Sequence, residues 1–301
     1  MAKVHLPHAF DRLPDWTSAW RGSGALVLLL DFDGTLAPIV KHADQAVMPK
    51  ATREALTRLR DLPGVRLAVV SGRGLADLRA RFGVPGVTLA GNHGMEIEGP
   101  RFRRVHEAAA AARPDLKLVA ADLHSRLDGV AGAWVEDKGL TLSVHFREAA
   151  GAEQEIREVV ERTVGGRRDR LRVTEGKMVL EVRPKVDWDK GRAASFLLEK
   201  VALPRGAPIL YLGDDRTDED AFRVLAPEGG EGVFVGLPEE APALAGAYLQ
   251  DPARVGEFLR RLAAGLNRSP PRNDPPSDHD YRDDQQYPGD VCQCPDHTAE
   301  A

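Results

Sequence analysis

Residues 25–35 read ALVLLLDFDGT. Six consecutive apolar residues with no polar alternation describe a strand buried on both faces, as in a parallel sheet covered by helices on either side. The run stops abruptly at Asp31, which leaves Asp31 and Asp33 at the strand's carboxyl end. Working outward, a helical stripe of Ala55, Leu56 and Leu59 is expected around 51–60, and then a second buried strand over 66–70 that stops at SGRG. A further helix carries Leu75, Leu78 and Phe82, and a third strand, VTLA, stops at GNHG. After residue 185 the alternation resumes with a helix from about Gly191, strand ILYL at 209–212 and a helix from about Glu219. Strand GVFV and a final helix bearing Val255, Phe258, Leu259 and Leu262 follow. Strands alternating with helices predict an α/β fold with a doubly wound, Rossmann-like parallel sheet. Ligands of such sheets bind at the carboxyl ends of the strands, where DFDGT, SGRG and GNHG are expected to converge.

Between 102 and 184 the pattern changes. A helix with Leu116, Val119, Ala120, Leu123 and Leu127 precedes two strands, a helix near 153–163 and two more strands. This reads as an inserted α+β cap domain, so the core is discontinuous: 1–101 and 185–267, interrupted by 102–184. One cap strand puts Leu142, Val144 and Phe146 on one face and Thr141, Ser143, His145 and Arg147 on the other. The last cap strand is expected to run through 175–183, with Met178, Leu180 and Val182 apolar and Glu175, Lys177, Glu181 and Arg183 polar beside Val179. Helices would cover the apolar face, and the polar face would look at solvent or at the active site.

The 34 residues of 268–301 hold three of the 41 basic residues and eight of the 46 acidic ones, which leaves 38 of each in residues 1–267. A balanced body argues against a dedicated nucleic-acid surface and for a small-molecule partner. The segment from Arg268, rich in Pro, Asp and Gln, cannot bury enough apolar surface to offset its ordering entropy and reads as a disordered acidic tail. Its Cys292 and Cys294 offer the fold no disulfide framework. The longest strongly apolar run, Ala25–Leu30, is far below the ~20 residues a bilayer span needs, and no signal-type segment is evident. A soluble cytoplasmic protein without membrane partner is expected, with a monomer as the favoured form.

The motifs carry the chemistry. DFDGTLAPIV resembles the first motif of the haloacid-dehalogenase-like phosphatases. That resemblance implies a phosphomonoesterase with Asp31 as nucleophile and Asp33, two residues on, as general acid and base. The spacing suits the reaction, because one carboxylate must face phosphorus while a second reaches the leaving oxygen. Gly34 lets the backbone approach phosphate, and Thr35 helps hold the loop. Ser71 in VVSGR fits the second motif, a hydroxyl on a phosphate oxygen, with Gly72 and Arg73 counted among the substrate-binding residues. Lys190 in DKGRAASFL fits the third, an ammonium at a helix start that pairs with the nucleophile and the phosphoryl group. GDDRTDEDAF fits the fourth, and the resemblance assigns Mg²⁺ to Asp31, the backbone carbonyl of Asp33 and Asp214, with Asp215 and Asp218 acting through waters or hydrogen bonds.

Within that superfamily the sequence resembles the trehalose-6-phosphate phosphatases over nearly all of residues 25–265. The distinguishing stretches are GNHGME and EGKMVLEVRP, which phosphoryl transfer does not require. The resemblance gives sugar recognition to His93, Arg147, Lys177 and Glu181, and the polar faces deduced above agree for the last three. His93, in its glycine-containing loop, is expected to be more exposed than a core histidine. The implied activity is hydrolysis of trehalose 6-phosphate. The alternatives are a phosphatase of another sugar phosphate, of sucrose or mannosylglycerate type, or a non-catalytic regulatory module. The signature of the latter is loss of Asp31, Asp33 or Asp214, all of which are present.

Overall fold

The computed structural model describes residues 6–40, 43–149, 151–176 and 178–267. Lys177, and the segment 268–301 with Cys292 and Cys294, lie outside the described residues. In chain order the elements are α1 (Ala9–Ser23), β1 (Leu26–Leu30), α2 (Lys50–Arg60), β2 (Val65–Val70), α3 (Leu75–Phe82), β3 (Thr88–Gly91), β4 (Glu96–Glu98), β5 (Arg103–Val105), α4 (Glu107–Ala111) and α5 (Arg113–Leu127). Then come β6 (Trp134–Asp137), β7 (Leu142–His145), α6 (Glu153–Val164), β8 (Leu171–Gly176), β9 (Val179–Pro184), α7 (Lys190–Glu199), β10 (Ile209–Gly213), α8 (Glu219–Leu225), β11 (Glu231–Val235), β12 (Ala245–Leu249) and α9 (Pro252–Asn267). The chain forms two compact units: one runs to Arg101 and resumes at Trp188, and the other is Phe102–Asp187.

In the first unit seven strands lie side by side in the order β12-β11-β10-β1-β2-β3-β4. Every pair is parallel except β3 with β4. All five residues of β1 are buried, as a central strand covered on both faces requires. Leu26, Leu28 and Leu30 join a core with Trp16 and Trp20 of α1, Leu56 and Leu59 of α2 and Phe258, Leu259 and Leu262 of α9. On the other face Tyr211 of β10 meets Phe222 of α8 edge to face, with centroids 5.9 Å apart. The fold is thus the α/β doubly wound sheet the sequence predicts. Helix α1 and strand β12, for which the sequence reading had no counterpart, complete one edge: Tyr248 of β12 donates its N–H to the carbonyl of Pro7.

The second unit is α+β, a four-stranded antiparallel sheet in the order β6-β7-β9-β8. Leu142, Val144, Leu180 and Val182 face α5 and α6 through Leu116, Val119, Leu123, Ile156 and Val160. One expectation is corrected. Residues 175–183 are not one strand but the closing arm of β8, a turn and β9, with Met178 at φ 65° and exposed at the turn. Because the chain reverses, Glu175 sits opposite Leu180, on the helix side, where it accepts a 2.7 Å bond from Arg157 of α6. It therefore does not share the face of Glu181, which lies opposite Ser143 and Thr174.

Phe258 is fully buried and meets Trp16 edge to face at 5.7 Å, which ties α9 to α1. Phe258→Ala is expected to destabilise the protein by about 3–5 kcal/mol, read as a fall in the urea midpoint of the first unit's unfolding transition.

Candidate active site

Three strand ends and one helix start build the site. Asp31 follows β1 directly, and its N–H is fixed by the carbonyl of Leu212 in β10. Asp214 follows β10, Ser71 follows β2, and Lys190 opens α7. Asp189 caps α7, its carboxylate accepting the N–H of Arg192 at 2.8 Å, which fixes where the lysine side chain departs.

The centre is a buried ammonium between two buried carboxylates. Lys190 Nζ donates 2.7 Å bonds to Asp31 Oδ1 and to Asp218 Oδ1. Asp218 also accepts from Tyr211 Oη at 2.8 Å and from the N–H of Asp215 at 3.0 Å. Burial works against the charge on Lys190, but Asp218 and Asp31 outweigh it and lift the ammonium above the usual lysine range. Asp31 is also raised, first by burial and then by Asp218 and Asp214, which Lys190 only partly offsets. Asp214 is pushed up to about 7, chiefly by burial and by Asp218. Three carboxylates face one ammonium, so ionising all three would leave the cluster with an uncompensated negative charge.

That excess fits a cation. Asp31, Asp214 and Asp218 each offer an oxygen, all within 4.8 Å of one another. Asp218 is already occupied by Lys190, Tyr211 and a backbone N–H, whereas among the described residues Asp214 accepts only from Thr35, at 3.1 Å. Asp31 and Asp214 are thus the carboxylates best placed to hold a divalent ion, with Asp218 orienting Lys190. Gly34, at φ 82°, makes room: a Cβ there would lie 2.0 Å from Asp214 Oδ2. Asp215 is not brought to the cluster, since its carboxylate caps the following turn by accepting the N–H of Arg216 at 2.6 Å.

Asp33 is placed differently from Asp31. Its side chain is 39% exposed, and both its oxygens accept from Arg73, Oδ2 from Nε and Oδ1 from Nη2, each at 2.6 Å. Ser71 is buried, its hydroxyl accepting the N–H of Arg73 at 3.2 Å and its carbonyl the N–H of His93 at 2.8 Å. His93 corrects an expectation, for it is only 8% exposed and packs beside Gly72, where a Cβ would lie 3.0 Å from its ring. Asn92 and His93 both adopt left-handed φ, 49° and 57°, a costly geometry for residues with a Cβ. Asn92 stabilises this loop by donating to Glu96 at 2.6 Å.

In the second unit Glu181 is half-buried on the polar sheet face, accepting from Lys138 at 3.2 Å and Ser143 at 3.4 Å. Arg147 is exposed in a turn two residues beyond the end of β7. The sequence reading missed Trp134, Glu136 and Lys138. Trp134 is 41% exposed and stacks at 3.9 Å on His145, which pairs with Glu136 at 2.9 Å. Their spacing in WVEDK, two apart on one strand, was the available signal. Tyr211 was also missed, because inside ILYL it reads as core.

Residues 29–240 match the family model described as trehalose-phosphatase. The chain is 42% identical over 246 residues to the trehalose-phosphate phosphatase of Mycobacterium marinum, which covers 80% of this chain and 62% of that relative. It is 41% identical over 271 residues to that of Mycobacterium tuberculosis, covering 87% and 68%. The chain therefore spans roughly two thirds of the length of these curated relatives. Among solved structures, the C-terminal domain of Candida albicans trehalose-6-phosphate phosphatase superposes with a TM-score of 0.72 at 26% identity, over 87% of this chain and 99% of that one.

The raised Asp214 gives a pH signature. With no cation bound, its native carboxyl holds a proton up to about 7, against an ordinary value of 3.8 in the unfolded chain. Its contribution to stability is full below the unfolded value and is lost as pH rises through the native one. Asp214→Asn, which cannot ionise, should therefore gain stability over the parent between about pH 4 and 7 in EDTA. The check is the difference in urea midpoints across that range, and a flat difference would contradict the raised Asp214 carboxyl.

Proposed function

The chain belongs to the trehalose-phosphatase family, and from that premise we propose that it hydrolyses trehalose 6-phosphate to trehalose and phosphate, the last step of trehalose synthesis. The observation that carries the reading is the pairing of a buried Asp31, at the end of the central strand, with Lys190 at 2.7 Å. A carboxylate in that position can attack phosphorus in line while the ammonium meets the charge on the phosphoryl oxygens.

In the first step a carboxylate oxygen of Asp31 forms a bond to phosphorus and the P–O bond to the sugar breaks. Asp33 gives its proton to the departing alkoxide. In the second step Asp33 takes a proton from water, whose oxygen attacks the aspartyl-phosphate, and phosphate leaves Asp31 as a free carboxylate. Ser71 and Lys190 hold the phosphoryl oxygens, and Thr35 holds Asp214. Mg²⁺ bound by Asp31 and Asp214, with the backbone carbonyl of Asp33, would offset the repulsion between the nucleophile and a phosphate dianion. The exposure of Asp33 suits a group that must meet both the leaving oxygen and water.

We assign substrate choice to residues 102–184, in keeping with the polar face that carries Glu181. Glu181, Lys138, Glu136 and Arg147 supply donors and acceptors for sugar hydroxyls and Trp134 an apolar ring face, and the family resemblance gives Lys177 and His93 a part in sugar recognition. Phosphate release from trehalose 6-phosphate should far exceed that from glucose 6-phosphate or sucrose 6-phosphate. Preference for either of the latter moves the substrate elsewhere. Asp31→Asn should abolish turnover, since an amide does not attack phosphorus, and near-parental steady-state activity would end the mechanism.

Glu181→Ala tests the cap. Losing a charged hydrogen-bond partner costs on the order of 1.5–3 kcal/mol. The expected result is a roughly tenfold to hundredfold fall in kcat/KM for trehalose 6-phosphate, with a small aryl phosphate unaffected. A parallel fall for both substrates would assign Glu181 to stability instead.

A further inference from the structure

Arg73 spends its guanidinium on carboxylates of the protein. Nε and Nη2 close a two-pronged bond on Asp33, and Nη1 donates to Asp77 Oδ2 at 2.6 Å. The guanidinium is buried and stands over the ring of Phe32, 5.5 Å from its centroid. Asp77, in the first turn of α3, is held in turn by Arg81 Nε, at 2.7 and 2.9 Å from its two oxygens. Arg81 is tied on its far side to the carbonyl of Asp44 at 2.7 Å. The charges alternate along this row, acid, base, acid, base, from Asp33, two residues past Asp31, to Arg81.

We propose that Arg73 is a positioning residue for Asp33, fixing its carboxylate for the half of the cycle in which it takes a proton from water. This rests on the role given to Asp33 above. A planar fork fixes both the direction and the rotation of a carboxylate, which a single bond does not. With both oxygens accepting from Arg73, Asp33 is arranged as an acceptor. To donate a proton to the sugar alkoxide it must exchange at least one of those bonds for the leaving oxygen. The fork therefore suits water attack on the aspartyl-phosphate, where the unused lone pair of a held carboxylate oxygen receives the proton and the O–P bond to Asp31 breaks. Asp77 and Arg81 keep the guanidinium from following Asp33 when that exchange occurs.

The test uses 2,4-dinitrophenyl phosphate, whose leaving group needs no proton, so kcat/KM reports only the attack of Asp31. In Arg73→Gln, hydrolysis of the aspartyl-phosphate becomes the slow step. The expected result is that kcat and KM fall together, by about tenfold to hundredfold, while kcat/KM holds. A rapid burst of dinitrophenolate approaching one per active site should precede the steady state. Arg73→Lys, which keeps the charge without the fork, should fall between Arg73→Gln and the parent. Asp77→Asn should show the same split in weaker form, and it carries the test if Arg73→Gln does not fold. Asp33→Asn is the reference and should show the split most strongly. Equal falls in kcat and kcat/KM without a burst in the Arg73 variants, beside a split in Asp33→Asn, overturn the assignment of Arg73 alone. Absence of the split in Asp33→Asn overturns the role of Asp33 and the proposal with it.

Discussion

A lysine ammonium buried between Asp31 and Asp218 is the interaction on which the rest of the site depends. A charge inside a protein must be paired, and removing one partner of a buried pair leaves the other uncompensated at a cost of several kcal/mol. Lys190 therefore links three elements that are far apart in the chain: the end of β1, the start of α7 and the turn after β10. Asp218 has no exposed surface, and its two oxygens are fully committed to Lys190, Tyr211 and a backbone N–H. It acts as the fixed anchor. Asp31 is held by Lys190 through one oxygen, and in the proposed mechanism an oxygen of this carboxylate attacks phosphorus. Asp214 brings the acid count to three against one base, a surplus that fits the divalent ion proposed above.

Packing this much charge into one place demands backbone without side chains. A Cβ at Gly34 would fall on the Asp214 carboxylate, and one at Gly213 would lie 2.3 Å from Cγ of Asp218. The two glycines face the two acids from neighbouring strand ends, so the carboxylates occupy the volume that any other residue would fill. Gly34 must also adopt φ 82°, a conformation L side chains disfavour. Close approach and chain reversal thus select the same residue type in DFDGT.

The core was legible because its signals are local. A continuous apolar run ending in acids needs no tertiary information to be placed in the middle of a parallel sheet, and the strand stops at SGRG, GNHG and GDD locate the site by topology. Other features depended on what the chain does at a distance. Helix α1 carries Pro14 and a weak apolar stripe, and its place is set by Trp16 and Trp20 packing on α9 and β1. The stretch EGKMVLEVRP alternates as one strand would, and the reversal at Met178 is hidden because a non-glycine residue takes the left-handed conformation there. His93 was expected to be exposed from its glycine-containing loop, yet left-handed backbone at Asn92 and His93 folds the ring back over Gly72. Arg73 gave no sign of its partners, since nothing in VVSGR indicates that a residue 40 positions earlier will occupy its fork.

The two acids of DFDGT end in opposite surroundings although a single residue separates them. Asp31 continues the direction of a central strand, so it is buried and is paired by a lysine that approaches from the helix layer. Asp33 lies past the fully buried Phe32, and its own side chain is partly exposed. Its cation is an arginine, and the difference matters. A lysine presents a point charge that can slide from a carboxylate to a phosphoryl oxygen as charge moves during attack. An arginine fork holds a carboxylate in one orientation and yields only when another partner replaces a whole bond. In the proposed mechanism Asp31, as nucleophile, needs the first kind of partner, and Asp33, which must return to the same place after each proton transfer, needs the second. The strand-end geometry, by putting one acid in the core and the other at its mouth, decides which cation can reach each.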